Sequence, residues 1–129
     1  MTIKSTVPRL TIAEKLALVR ATIALFGKWS VTDEQALAIL GGLPAPTYAA
    51  WRSEKVGGLS QEQIYRLTLL LQIHVALRVR FSDSSRAAGW MGRPNDIFAG
   101  RTPLALIADG KLATIERLLA YLAADLSPW

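Results

Sequence analysis

Apolar positions recur three and four residues apart along most of the chain, and no stretch sustains the apolar/polar alternation of a half-buried strand. Ile12, Leu16, Val19, Ile23 and Phe26 form one stripe, the spacing of a helix with a single core-facing side. Leu112, Ile115, Leu118, Leu119 and Leu122 repeat that pattern near the C-terminus. Residues 61–80 carry two such faces, one of Ile64, Leu67, Leu71 and Val75 and another of Leu70, Ile73 and Leu77. A helix apolar nearly all round is expected at the centre, joining two halves or meeting a second copy. Helix starts are written as three capping boxes, Thr11 with Glu14, Thr32 with Gln35 and Ser60 with Gln63, and as Thr102-Pro103. Stops are expected at Gly27, Gly41/Gly42, Gly57/Gly58 and Gly110. The pattern predicts an all-α fold with helices near 11–26, 33–40, 46–55, 61–80, 83–91, 103–109 and 111–124. The less regular Phe81–Arg101 segment reads as a short helix and a structured loop, because Trp90, Ile97 and Phe98 need burial.

Composition narrows the class. At 129 residues the chain makes one domain or two very small ones packed together, and 51% apolar against 19% charged residues excludes a disordered protein. The long charge-free stretch Ala36–Trp51 is broken by Gly41, Gly42, Pro44 and Pro46. The most apolar, Leu67–Leu77, is closed off by Arg66 and Arg78, short of the ~20 residues a bilayer needs. No charged-then-apolar leader opens the chain, so a cytoplasmic protein without membrane contact is expected. There is no cysteine and one histidine, His74, which excludes disulfides, thiolate chemistry and a histidine-rich metal site. His74 lies between Ile73 and Val75 and reads as a partly buried or interface residue. No phosphate loop, dinucleotide-binding glycine pattern, catalytic triad or metal-ligand spacing is present, so neither catalysis nor a cofactor is expected. The apolar surplus instead points to surface reserved for a partner or a dimer mate.

Charge changes the picture more. The formal net charge is +5, and residues 1–80 hold ten Lys/Arg against five Asp/Glu while residues 81–129 hold five of each. Within that basic half, residues 34–55 have the layout of a helix-turn-helix, with small Ala38 in the first helix, Gly42 at the turn, and Leu43, Tyr48 and Trp51 inward. An ordinary helical hairpin satisfies the same pattern. On the DNA-binding reading, Thr47, Arg52, Ser53 and Lys55 are the contact residues. Of the outward groups on the second helix, only Arg52 can make paired hydrogen bonds to a base edge, and it sits late in the helix. Phosphate attraction is expected to outweigh base reading.

The C-terminal half carries the more specific pattern. Trp90, Pro94-Asn95, Phe98, Gly100, Pro103-Leu104 and Gly110 each have a local structural reading as anchor, turn, helix start or stop. Together, the string W-M-G-R-P-N-D-I-F-A-G-R-T-P-L-A-L-I-A-D-G-K, residues 90–111, closely resembles the signature of the MbcA/ParS/Xre antitoxin C-terminal domain. Upstream, L-A-I-L-G-G-L-P-A-P-T-Y-A-A-W-R and the helix that follows resemble that family's Xre-like helix-turn-helix part, so that the likeness spans about residues 28–124. It departs from the pattern at the doubled Gly41-Gly42, which shifts the turn by one residue.

The resemblance implies the antitoxin of a bacterial type II toxin–antitoxin pair. It implies a RES-domain, NAD-consuming toxin as partner, a homodimer, and promoter DNA bound through an N-terminal helix-turn-helix and dimerisation region, residues 1–80. Residues 81–129 would then be the toxin-binding domain, with Asn95, Arg101 and Lys111 as contacts and Trp90, Phe98, Pro103 and Leu104 serving the fold. The tail, ending Pro128-Trp129, is read as an added contact in which an aromatic with the terminal carboxylate plugs a nucleotide cleft. Packing of the same tail on the body is the plainer alternative. The rival from another class is a stand-alone transcriptional regulator whose C-terminal half only dimerises.

Overall fold

In the computed structural model the chain is described over residues 9–125. Those residues form seven α-helices: α1 (Ile12–Lys28), α2 (Asp33–Ile39), α3 (Ala45–Arg52), α4 (Gln61–Arg80), α5 (Ser84–Trp90), α6 (Pro103–Ile107) and α7 (Leu112–Asp125). One 3₁₀ turn, Asp96–Phe98, lies between α5 and α6. The all-α expectation holds among the described residues.

All three capping boxes close in both directions, each hydroxyl accepting from the third backbone N–H and each Glu or Gln reaching back. The Thr102 hydroxyl accepts from the Ala105 N–H, with Pro103 filling the first helical position, where no donor is wanted. The stops differ from expectation in two places. Gly27 lies inside α1, and the left-handed residue that ends this helix is Ser30, with Val31 N–H returning to the Phe26 carbonyl. Likewise α3 ends at Arg52, with left-handed Glu54 and a Lys55 N–H to Ala50 carbonyl bond of 2.8 Å, before Gly57 and Gly58 are reached. In both, the paired bonds of a Schellman closure satisfy the last carbonyls whatever residue takes the left-handed position.

Helix α4 runs through the middle and packs against α1, α5 and α7. Leu67, Leu70, Ile73 and Leu77 are completely enclosed, each burial contributing about 1.5–3 kcal/mol. One core joins residues from α1 through α7. The apolar faces are trimmed at their ends. Ile12 is 85% exposed before α1 reaches the core, and Val75 and Val79 stand at 59% and 67% on the outer side of α4. Ile97, expected inside, is 61% exposed, since the 3₁₀ turn that buries most of Phe98 rotates its neighbour outward.

The central structural device is Arg66, read from the sequence as the charged border of an apolar run. Its residue is only 5% exposed. One guanidinium nitrogen donates to the Ile39 carbonyl at 3.1 Å and to the Gly110 carbonyl at 2.9 Å, and the other meets Glu62 at 3.3 Å. The end of α2 and the turn before α7 are therefore held by one side chain. This accounts for the doubled glycine. A Cβ at Gly41 would stand 2.9 Å from the Arg66 guanidinium, and Gly41 and Gly42 both have φ of +83°. A Cβ at Gly110, which has φ of +79°, would stand 3.0 Å from the Ala38 carbonyl oxygen and 3.6 Å from the Gly41 Cα, so the two turns approach backbone to backbone.

Candidate functional site

Two surfaces carry the residues singled out by the sequence. The first is the α2–α3 unit. Leu43, Tyr48 and Trp51 are buried as expected, which turns Ala45, Pro46, Ala49, Arg52 and Ser53 outward, with Thr47 half-buried. A cleft between the helices is lined by Asp33, Leu37, Ala45, Tyr48, Ala49 and Arg52. Arg52 is not waiting free in it. Its Nη1 donates to the Asp33 carboxylate at 3.0 Å, and its guanidinium lies 5.8 Å from the Tyr48 ring centroid. Burial pushes the Tyr48 hydroxyl up, with Arg52 opposing and Asp33 assisting. Lys55 is exposed beyond the end of α3, in the closing turn, and Ser53 is the C-cap. Nearby, Arg20 pairs with Glu54, which holds that carboxyl below the usual range, chiefly through the hydrogen bond. Three of the ten Lys/Arg of residues 1–80 are thus paired within that half, with Glu54, Asp33 and Glu62, and its net excess of positive charge is unchanged.

The second surface is built by α5, the 3₁₀ turn, α6 and α7. Trp90 meets Phe98 edge-on at 6.2 Å, and Phe98 meets Tyr121 edge-on at 5.8 Å. Arg80 lies over the Phe81 and Tyr121 rings at 5.9 and 6.0 Å. This aromatic stack fixes the loop from inside, with Pro103 and Leu104 buried beside it. Trp90, Phe98, Pro103 and Leu104 serve the fold, as the sequence indicates.

Of the three contact residues expected here, the structure joins two. Asn95 and Arg101 face each other in an isolated antiparallel bridge, Asn95 N–H donating to the Arg101 carbonyl at 3.1 Å. Asn95 is half-buried, and its Oδ1 accepts from the Ile97 N–H at 3.0 Å, so its side chain caps the 3₁₀ turn. Arg101 is exposed. Lys111 is exposed at the far end of α6, about 7.5 Å along a five-residue helix. There Asp109 accepts from the Lys111 N–H at 2.9 Å and the Thr114 hydroxyl at 2.6 Å. Burial pushes the Asp109 carboxyl up, and these bonds with the Lys111 and Arg117 charges outweigh it, leaving it below its ordinary value. Pro128 and Trp129 lie outside the described residues. Sequence reasoning missed Ile97, which crowns the bridged loop beside left-handed Ala99. Its only signal was adjacency to an anchoring Phe in a turn-rich segment, which does not fix which side faces out.

Among the described residues no helix is long and apolar enough to cross a membrane, and no group of acidic or histidine side chains could hold a metal ion. The loop is anchored by the Trp90–Phe98 contact and leaves Ile97 exposed, with Arg93 and Arg101 exposed on either side of it in sequence. Residues 76–124 match the family described as the antitoxin Xre/MbcA/ParS C-terminal toxin-binding domain. A protein of Sinorhizobium fredii (strain NBRC 101917 / NGR234), named uncharacterized protein y4oB, is 32% identical over 110 residues, covering 84% of each chain. The chain belongs to the Xre/MbcA/ParS antitoxin family. Its role is that of the antitoxin in a toxin–antitoxin pair, and its partner is a toxin.

Proposed function

We propose that this antitoxin neutralises a RES-domain, NAD-consuming toxin by covering the toxin's active-site cleft with the surface of residues 81–129. The chain itself takes no catalytic part. The observation that carries this reading is the bridged loop around Asn95 and Arg101, which presents Ile97 outward on a rigid aromatic base. Apolar groups exposed on a pre-organised loop bind without a further ordering cost, and their burial in a pocket anchors an interface. Arg101 beside that anchor and Lys111 beyond the far end of α6 are exposed cations in the same half, and Pro128-Trp129 are assigned to the toxin contact on sequence grounds alone. The RES class of the partner rests on the likeness of residues 90–111 to the family signature.

Residues 1–80 supply dimerisation and promoter contact in this reading. Val75 and Val79, exposed one turn apart on α4, support a homodimer surface. The α2–α3 unit supports DNA attachment through Thr47, Arg52, Ser53 and Lys55, with phosphate attraction stronger than base reading because Arg52 is shared with Asp33. The protein works in the bacterial cytoplasm. The test is co-expression with a RES-domain toxin. Wild-type chain restores growth and co-purifies, and Ile97→Asp loses both while keeping its helical circular dichroism. Full neutralisation by Ile97→Asp together with Arg101→Glu would overturn the assignment of this loop.

A further inference from the structure

A second cleft, of about 540 Å³, opens where residues of α1, α4 and α5 come together. It is lined by Lys28 at the end of α1, His74 and Arg78 one turn apart on α4, and Ser84, Ser85 and Ala88 of α5. Its chemistry is one-sided. Two fixed positive charges, an imidazole and two hydroxyls line it, and no carboxylate does. Arg20, Arg52 and Arg66 are paired with acids, whereas Lys28 and Arg78 make no ion pair among the described residues. Asp83, the carboxylate nearest in sequence, accepts from the Ser85 N–H at 2.8 Å and does not line the cleft.

We propose that this cleft binds the dianionic phosphate group of a phosphate monoester, with Lys28 and Arg78 neutralising its two charges and Ser84 and Ser85 offering hydroxyl donors. A terminal phosphate fits better than a bridging diester, which brings one negative charge to a site holding two positive ones. The volume exceeds what the phosphate alone needs and leaves room for the group that carries it. His74 sits within the same cluster as an adaptable partner. Its imidazole is held below its ordinary value, first by burial and then by the Lys28 and Arg78 charges, which favours the uncharged ring in the empty cleft. A bound dianion offsets both neighbouring charges and draws a proton onto the ring.

The chain contains a single histidine, so its ring C2–H resonance reports this cleft alone. The experiment titrates that resonance from pH 4.5 to 8.5 in phosphate-free buffer, in the full-length protein. Added ligands are inorganic phosphate, a nucleoside monophosphate, a short DNA duplex without terminal phosphates, and chloride at matched ionic strength. Phosphate and the monophosphate are expected to raise the midpoint of the His74 titration and to saturate. Chloride and duplex are expected not to do so. Lys28→Gln and Arg78→Gln, both at exposed positions, are each expected to weaken phosphate binding about tenfold, the loss of one solvent-accessible charge-assisted hydrogen bond. Response to inorganic phosphate but not the nucleotide overturns the monoester assignment and makes the cleft a site for the free ion. A response to duplex alone overturns the monoester assignment, as does a shift that chloride reproduces or that both variants retain.

Discussion

Replacing Arg66 with methionine removes the guanidinium while keeping a long apolar stem. The loss leaves the Ile39 and Gly110 carbonyls without the donor they share. Hydrogen bonds from a charged donor contribute about 1.5–3 kcal/mol each, so the pair amounts to about 3–6 kcal/mol gross. Part of that returns, because the variant no longer keeps a charge out of water. A net loss of about 2–4 kcal/mol is expected, a large share of the roughly 5–15 kcal/mol that holds a domain together. In urea, with a slope of about 1–3 kcal/mol per molar, the unfolding midpoint should fall by roughly 1–2 M at unchanged slope. Glu62→Gln is the control. The Glu62 side chain is 66% exposed, so its loss should cost no more than about 0.5 kcal/mol. A midpoint for Arg66→Met within about 0.3 M of wild type would refute the view that this side chain ties the two turns together.

Other consequences are open to simpler measurement. Ser30→Gly relieves a left-handed residue at φ +57° and should raise stability by about 0.5–1 kcal/mol, read from the same urea transition. His74 has a folded-state value below its unfolded one, so its contribution to stability is full above pH ~6.5 and is lost as pH falls through the folded value. Thermal midpoints should therefore decline on acidification below pH 6.5, and His74→Gln should flatten that part of the profile. For DNA, Arg52→Ala should lower the salt dependence of binding, whereas Asp33→Asn releases Arg52 and should tighten binding at low salt, measured by fluorescence anisotropy.

The helix starts were legible because each is a local contract between a hydroxyl and a backbone N–H three residues on, as at Thr11, Thr32, Ser60 and Thr102. The aromatic framework of the C-terminal half was legible too, since Trp90 and Phe98 must be buried somewhere and few arrangements do so. Arg66 was not. Its partners lie 27 and 44 residues away, and from its own neighbourhood it looks like a charge marking the edge of an apolar run. Ser30 and Glu54 escaped for a related reason, because the closing bonds of a helix select a backbone shape, and glycine is the cheapest occupant but not a required one. At the candidate sites the residue types were readable while their engagement was not. Nothing local says that Arg52 is held by Asp33 or that Asn95 caps its own loop.

The contact of Gly110 with Ala38 and Gly41 also limits how such a chain can be recombined. A hybrid joining the first eighty residues to a different C-terminal half inherits the Arg66 donor without assurance of a carbonyl at the right turn. The reverse hybrid strands the Gly110 carbonyl. A functional exchange of toxin specificity in this architecture must carry the Gly41, Arg66 and Gly110 trio across the junction intact, or confine the swap to the loop between Met91 and Thr102.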